Sequence, residues 1–223
     1  MVSEAPAALP GFIYESLRSS ILDQSDAPGS SLTESAVALR FGVARPTAKV
    51  AIERLVAEGL LRREAHHAAR VPRLERADIS DLYECRAVIE AAAISALSAN
   101  GTIPAAALRA HRDLLRSVET GDSFAPADIA FHRELVQGQS SPRLARMHGL
   151  LMGEIELCIG QVQSGGLLTA AAVAAQHQGI LDAVLAGNAD AAARLTREHI
   201  DGARDVLLDH WDAENSTTNT VPR

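Results

Sequence analysis

The chain has 223 residues, of which 47% are hydrophobic and 22% are charged, so it can form one large or two small globular domains and is not mainly disordered. Its two cysteines, Cys85 and Cys158, form no C-x-x-C pair, which excludes a disulfide-stapled secreted scaffold and a thiol-exchange site. Residues 1–10 lack a signal-peptide pattern, and every apolar run is shorter than the roughly 20 residues that cross a bilayer. We therefore expect a soluble, cytoplasmic protein.

The net charge of -7 is unevenly distributed along the chain. Residues 1–76 contain ten Lys and Arg against nine Asp and Glu, whereas the remainder contains 11 basic and 19 acidic residues. Within the first part, residues 40–76 hold nine of the ten basic residues and only four acidic ones. We expect an anionic partner to bind there, because a basic patch attracts nucleic acid even on an acidic chain.

The first 76 residues predict three helices and a short basic hairpin. Ile13, Leu17 and Ile21 recur at helical spacing, and Thr33 is a suitable N-cap for a second helix that stops at Gly42. The third helix has one apolar face, formed by Ala48, Ala51, Ile52, Leu55 and Val56. A basic stretch, residues 62–70, follows it. This order is typical of a winged helix-turn-helix, and the alternative is an ordinary three-helix bundle with a solvated charged face.

From Ala77 onward the sequence is rich in alanine and acidic residues, and no alternating strand pattern occurs. Six helices are predicted, starting near residues 78, 104, 126, 142, 169 and 189, with breaks at residues 164–166 and 187–188 and an end near Trp211. The fold class is therefore mainly α: a winged helix-turn-helix over residues 11–76 and a six-helix antiparallel bundle over residues 77–212. Residues 1–10 and 213–223 are expected to be disordered tails.

Four residues in the predicted bundle form a candidate metal site. Asp128 and His132 are spaced i, i+4 on one helix, while His177 and His199 lie on the next-to-last and last helices. Antiparallel packing would bring the four groups together, and three imidazoles with one carboxylate suit zinc, nickel or manganese, with zinc favoured. The alternative is that these histidines are hydrogen-bonded core or surface residues. His111, His148 and His210 have no acidic or histidine partner at helical spacing that would form a second metal site, and we expect them to be structural.

Arg86 and Glu90 are also spaced i, i+4. The simplest interpretation is a surface ion pair, and the alternative is that Arg86 faces the pocket and binds an anionic ligand.

The chain resembles the GntR superfamily of bacterial transcription regulators, in the FadR-like branch with a C-terminal FCD domain, from Ile13 to Trp211. Its six C-terminal helices are closer to the VanR-type subgroup. The N-terminal motifs that carry the resemblance are Pro28–Gly29, Leu32–Glu34, Phe41–Pro46 and Leu55–Leu60. The C-terminal motifs are Asp81–Arg86 with Glu90, Asp128–His132, Gln176–Ile180 and His199–Ile200.

The resemblance implies a homodimer that binds a palindromic DNA operator and responds to a small carboxylate effector. It also implies that Asp128, His132, His177 and His199 hold a divalent metal, which would anchor the effector together with Arg86. We expect Arg45, Thr47 and Lys49 to contact the major groove. The residues expected on phosphates or in the wing are Arg40, Arg62, Arg63 and Arg70.

The recognition helix departs from the family pattern at its start. Ala44 replaces the usual Ser, and Pro46 follows Arg45 directly, so we expect the helix to begin at Pro46 with Arg45 just outside. Lys49 replaces an arginine that could contact guanine in a bidentate way.

Two other functions remain as alternatives. One is a metal-dependent hydrolase or isomerase fused to a DNA-binding head, with Glu154 or Glu156 as its acid or base. The other is a regulator whose metal is purely structural and which has no effector.

Overall fold

The computed structural model describes residues 8–65, 67–164 and 166–218, and within them the chain is mainly helical. Residues 1–7 and 219–223 of the two expected tails, His66 of the basic hairpin and Gly165 of the predicted break lie outside the described residues. Residues 8–10, also expected to be a disordered tail, form the start of the first helix, so the prediction is wrong there. The chain divides into two compact units. The first comprises the chain up to Leu74 together with Leu150–Leu157, and the second comprises Glu75–Gly149 and Cys158 onward.

The first unit contains three helices and a small antiparallel sheet. Its helices are α1 (Ala8–Leu22), α2 (Glu34–Phe41) and α3 (Arg45–Ala57), and its strands are β1 (Ser31–Leu32) and β2 (Ala69–Arg70). The strands pair with Ser31 opposite Arg70, and Arg62 forms a further bridge to Arg70, with two backbone hydrogen bonds of 2.9 Å. This small sheet is the wing, which distinguishes the unit from an ordinary three-helix bundle.

The apolar faces that the sequence predicts form the core of this unit. Ile13, Leu17 and Ile21 of α1 are buried. They share a core with the predicted stripe of α3, in which Ala48, Ala51, Ile52 and Leu55 are buried and Val56 is half-buried. Leu157 packs against the same cluster.

The caps of α2 follow the prediction. Thr33 Oγ1 accepts a hydrogen bond from the Ala36 amide at 3.1 Å, and Gly42 ends the helix in the left-handed region at φ 64°.

The predicted start of α3 is wrong by one residue. The helix begins at Arg45, because the Ala44 carbonyl already accepts hydrogen bonds from the amides of Thr47 and Ala48. Pro46 fits the first turn, where a missing N–H has no intrahelical partner to lose. Ala44 is the N-cap and provides no side-chain hydrogen bond.

The second unit is built from helices, as predicted. They are α4 (Arg76–Ala99), α5 (Ala105–Thr120), α6 (Ala125–Gly138), α7 (Pro142–Ser164), α8 (Ala170–Leu185) and α9 (Ala189–Thr218). The middle of α7, Leu150–Leu157, groups with the first unit. Helix α4 packs along α9, α5 packs on α6 and α8, and α8 packs on α9. None of the helices in the described ranges is long and apolar enough to span a membrane.

Two boundaries of this unit differ from the prediction. Helix α4 begins before the predicted start near residue 78, because Glu75 is its N-cap; Asp78 accepts a hydrogen bond from the Glu75 amide at 2.9 Å in a capping box. At the other end, α9 continues to Thr218, past the predicted end near Trp211.

Candidate functional site

Four side chains meet inside the second unit. Asp128 and His132 project from the same face of α6, His177 comes from α8 and His199 from α9, and all four are buried. Their potential ligand atoms all lie within 4.8 Å of one another. The i, i+4 spacing on α6 and the packing of α8 against α9 bring these residues together.

The distances between these atoms match the coordination sphere of a metal ion. His132 Nε2 lies 3.1 Å from His199 Nε2, which lies 3.4 Å from His177 Nε2. Asp128 Oδ1 lies 3.2 Å from His177 Nε2 and 3.6 Å from His132 Nε2. Metal–ligand bonds of about 2.1 Å separate neighbouring ligand atoms by about 3.0–3.4 Å, depending on the geometry. The residues therefore fit a divalent ion.

The outer nitrogens of two of the histidines support this fit. His132 Nδ1 lies 2.5 Å from Glu90 Oε2, and His199 Nδ1 lies 2.7 Å from Gln176 Oε1. Since these oxygens accept hydrogen bonds, each Nδ1 carries a proton and each Nε2 directs a lone pair inward. Two lone pairs 3.1 Å apart repel each other unless a cation lies between them. Asp128 Oδ1, also buried, has no hydrogen-bond partner of good geometry among the described residues.

The protonation states favour ligation at neutral pH. Burial lowers the pKa of His177 to about 4, and burial also lowers the pKa of His199 well below its ordinary value. Although burial opposes it, the neighbouring His132 and His177 imidazoles hold the pKa of Asp128 well below its ordinary value. Burial lowers the pKa of His132 as well, but the Glu90 charge outweighs it and the net shift is upward. A metal at His132 would therefore compete with a proton.

Arg86 and Glu90 do not form the surface ion pair that was the simplest interpretation of their spacing. Both side chains are buried, 1% and 2% exposed, and Arg86 Nε donates to Glu90 Oε1 at 2.8 Å. The pair is buried because it shares the apolar face of α4 with Ile79 and Tyr83. Arg86 Nη2 is buried and has no hydrogen-bond partner among the described residues. This supports the alternative in which Arg86 is available to bind an anionic ligand.

Three residues next to the cluster were not predicted as parts of the site: Glu90, Gln176 and His148, whose Nε2 lies 3.0 Å from Glu90 Oε1. Glu90 could have been found, because it lies seven residues after Tyr83 and so on the same helix face. No comparable signal identifies His148. His111, expected to be structural, makes a 3.1 Å hydrogen bond with Gln178 Oε1.

Glu154 and Glu156, the candidates for an enzymatic acid or base, belong to the first unit. Glu154 forms a bidentate ion pair with Arg62, with distances of 2.9 and 2.7 Å. Glu156 forms an ion pair with Arg18.

The predicted DNA-contacting residues of the recognition helix lie at its start. Arg45 and Lys49 are exposed on α3, and Thr47 is half-buried. Lys49 Nζ lies 3.5 Å from Glu53, a pair that is more than half exposed on both sides and therefore weak.

The other predicted DNA contacts already have partners within the first unit. Arg40 pairs with Asp26 at 2.8 Å, Arg63 with Glu34 at 2.9 Å, and Arg62 with Glu154. Arg70 donates to the Gly29 carbonyl at 3.0 Å. A phosphate would have to compete with these acceptors.

Known proteins share this architecture. The chain is similar to an HTH-type transcriptional regulator in an unstable DNA locus of Streptomyces ambofaciens, at 28% identity over 197 residues, or 84% of this chain and 80% of the relative. A GntR transcriptional regulator from Rhodococcus sp. RHA1 superposes with a TM-score of 0.75 at 23% identity, covering 91% of this chain and 99% of that one. McbR/YncC of E. coli superposes with a TM-score of 0.72 at 18% identity, covering 95% and 100%.

Two family descriptions together match most of the chain. Residues 9–71 match "Bacterial regulatory proteins, gntR family", and residues 81–202, more than half of the chain, match the FCD domain. Both families consist of transcription regulators and not of enzymes. The chain therefore belongs to the GntR family of bacterial transcription regulators and carries a C-terminal FCD domain.

Proposed function

We propose that this regulator binds a divalent metal ion and a small carboxylate effector in its second unit, and that the effector changes its affinity for a DNA operator. The observation that carries the proposal is the convergence of three imidazole Nε2 atoms and Asp128 Oδ1 on one buried point. Three nitrogen ligands and one carboxylate suit zinc first, and nickel or manganese next.

Arg86 supports the choice of a carboxylate as effector. A metal with four protein ligands keeps open positions in octahedral geometry, and when bound it would supply a Lewis-acid anchor for a carboxylate. Arg86 is buried, and its Nη2 has no hydrogen-bond partner among the described residues. A guanidinium N–H is a strong donor to carboxylate oxygen, so an effector would satisfy this group.

We propose that α3 reads the major groove with Arg45, Thr47 and Lys49, while Arg40, Arg62, Arg63 and Arg70 contact phosphates. GntR regulators bind operators and typically act as dimers, so a homodimer on a palindromic operator is the expected complex. The effector can change DNA affinity only if two conformations bind it with different strengths. Helix α4 is the proposed lever, since it carries Arg86 and begins two residues after Leu74, where the N-terminal segment of the first unit ends.

A thermal-shift screen tests the sensor half of this proposal. Metal-loaded and chelated protein would be compared with mono-, di- and hydroxycarboxylates. A ligand at 100 times its dissociation constant adds about 2.7 kcal/mol of stability, which appears as a shift of several degrees. We expect a carboxylate response that disappears on chelation and in His177→Ala but persists in the exposed-histidine variant His67→Ala. Stabilisation by metal alone, with no response to any acid, would favour a purely structural ion.

A substitution of Arg45 tests the DNA-binding half. On an operator selected from random duplex DNA, Arg45→Ala should weaken binding by about 1–3 kcal/mol, because the side chain is proposed to contact a base edge. The matched control is Arg116→Ala, an exposed arginine of the second unit. Fluorescence anisotropy would give both affinities, and an unchanged value for Arg45→Ala would remove that residue from the interface.

A further inference from the structure

We infer that Glu90 is a positioning residue for the metal site, which holds the ring of His132 so that its Nε2 lone pair faces the ion. The inference rests on the proposed metal binding and extends it to a residue that is not itself a ligand. The charge of Glu90 acts through one imidazole, so its effect on metal affinity should depend on His132.

The carboxylate of Glu90 is fixed by three donors. Oε2 lies 2.5 Å from His132 Nδ1, while Oε1 lies 2.8 Å from Arg86 Nε and 3.0 Å from His148 Nε2. The side chain is only 2% exposed, so water does not compete for these hydrogen bonds. Helices α4, α6 and α7 each contribute to this arrangement, which leaves the carboxylate little freedom to turn.

This arrangement determines what His132 offers to an ion. An imidazole whose Nδ1–H is bound to a carboxylate keeps its tautomer and orientation, and the adjacent negative charge increases the basicity of Nε2. The other two histidines lack such a partner. His199 Nδ1 meets the neutral amide of Gln176, and His177 Nδ1 has no hydrogen-bond partner among the described residues. His132 is therefore the ligand whose strength depends on a charged neighbour.

A competing explanation is that Glu90 only neutralises the buried charge of Arg86. In that case replacing Glu90 would change the stability of the chain, and any loss of metal affinity would not depend on His132. A double-mutant cycle separates the two explanations, because it measures whether the effect of a Glu90 substitution on metal affinity depends on the presence of His132.

The experiment measures Zn²⁺ and Mn²⁺ affinities of the full-length, metal-free chain by competition with a chromophoric chelator. Glu90→Gln should weaken binding about 10–100-fold, the usual effect of removing such a partner. The matched control is Glu84→Gln on the same helix, an exposed side chain hydrogen-bonded to Ser80, which should change nothing. In a His132→Ala background, Glu90→Gln should cause no further loss.

If Glu90→Gln does not fold because Arg86 loses its partner, the double variant Arg86→Met/Glu90→Gln removes both charges. Its metal affinity is then measured with His132 present and with His132→Ala. Unchanged affinity in a folded Glu90 variant, or an equal loss with and without His132, would overturn the inference while leaving the metal site intact. A wild-type chain that binds neither ion would overturn the proposed function as well.

Discussion

His177 illustrates how burial prepares a single residue for its role. The side chain has no exposure to solvent and stacks on Phe131, with ring centroids 3.9 Å apart. Burial lowers its pKa from 6.5 to about 4, so the imidazole is neutral at physiological pH. A neutral imidazole can bind a metal without first releasing a proton.

The same shift predicts an acid-sensitive fold for the metal-free chain. Between pH 6.5 and 4, His177 is protonated in the unfolded chain but stays neutral in the folded chain. The unfolded state therefore binds more protons, and the free energy of unfolding falls as the pH falls. From pH 7.5 to 5 the wild type should lose about 2 kcal/mol more stability than His177→Gln. Urea unfolding of chelator-treated protein at both pH values measures this difference. The exposed control His67→Gln should lose as much as the wild type, and equal losses for His177→Gln would contradict the assignment.

Arg86 and Glu90 show the limit of spacing as evidence. The i, i+4 pattern correctly predicts that the two side chains interact, but it does not say whether they face solvent. Their burial depends on the helices that cover α4, and those contacts are not local in sequence.

At the scale of elements, α7 carries two glycines in different surroundings. A Cβ at Gly153 would overlap the carbonyl oxygen of Glu58 and lie 2.7 Å from the carbonyl carbon of Gly59, all within the first unit. A Cβ at Gly149 would meet nothing within 4 Å. The absence of a Cβ at Gly153 therefore allows α7 to approach the backbone of residues 58–59 closely. No such approach occurs at Gly149.

This contrast predicts opposite effects of the same substitution. Gly153→Ala should destabilise the chain by about 1–3 kcal/mol, because the backbone of residues 58–59 has no flexible side chain that can move aside. Gly149→Ala should be neutral or stabilise the chain by up to about 1 kcal/mol, since alanine favours helix. Denaturant unfolding of both variants gives the comparison. Equal effects would show that the close approach at Gly153 is absent in solution.

Helix ends were predictable where one side chain decides them. Thr33 and Thr169 cap α2 and α8 through hydrogen bonds to the third residue on, and Gly42 and Gly121 end their helices in the left-handed region. The start of α4 was harder to predict, because Glu75 and Asp78 share the capping box and either could have been the cap. At α3, Pro46 misled the prediction, since the first turn accepts a proline at more than one position.

At the scale of the whole molecule, the uneven charge agrees with the two families that match the chain. All but the last two residues of the basic segment 40–76 lie in the unit that matches the DNA-binding family, and the acidic remainder forms most of the unit that matches the FCD domain. Several arginines of the first unit are nevertheless engaged by carboxylates, as Arg40 is by Asp26 and Arg63 by Glu34. The basic surface offered to DNA is therefore smaller than the sequence count implies.

The sequence by itself determined the order of the helices and the winged helix-turn-helix pattern. These follow from local rules: helical periodicity selects the buried faces, and caps and glycines mark the ends. Asp128 and His132 lie side by side because they are spaced i, i+4 on one helix. The meeting of His177 and His199 with Asp128 and His132 was an expectation from antiparallel packing and from the family resemblance.

Only the tertiary structure decided how these four residues are supported. Glu90 and His148 lie 58 residues apart and Gln176 and His199 lie 23 apart, and each pair meets because helices pack side by side. The grouping of Leu150–Leu157 with the first unit is likewise invisible in the periodicity of α7. The physical reason is that periodicity reports which face of a helix is buried, whereas the partner on that face depends on packing between segments distant in sequence.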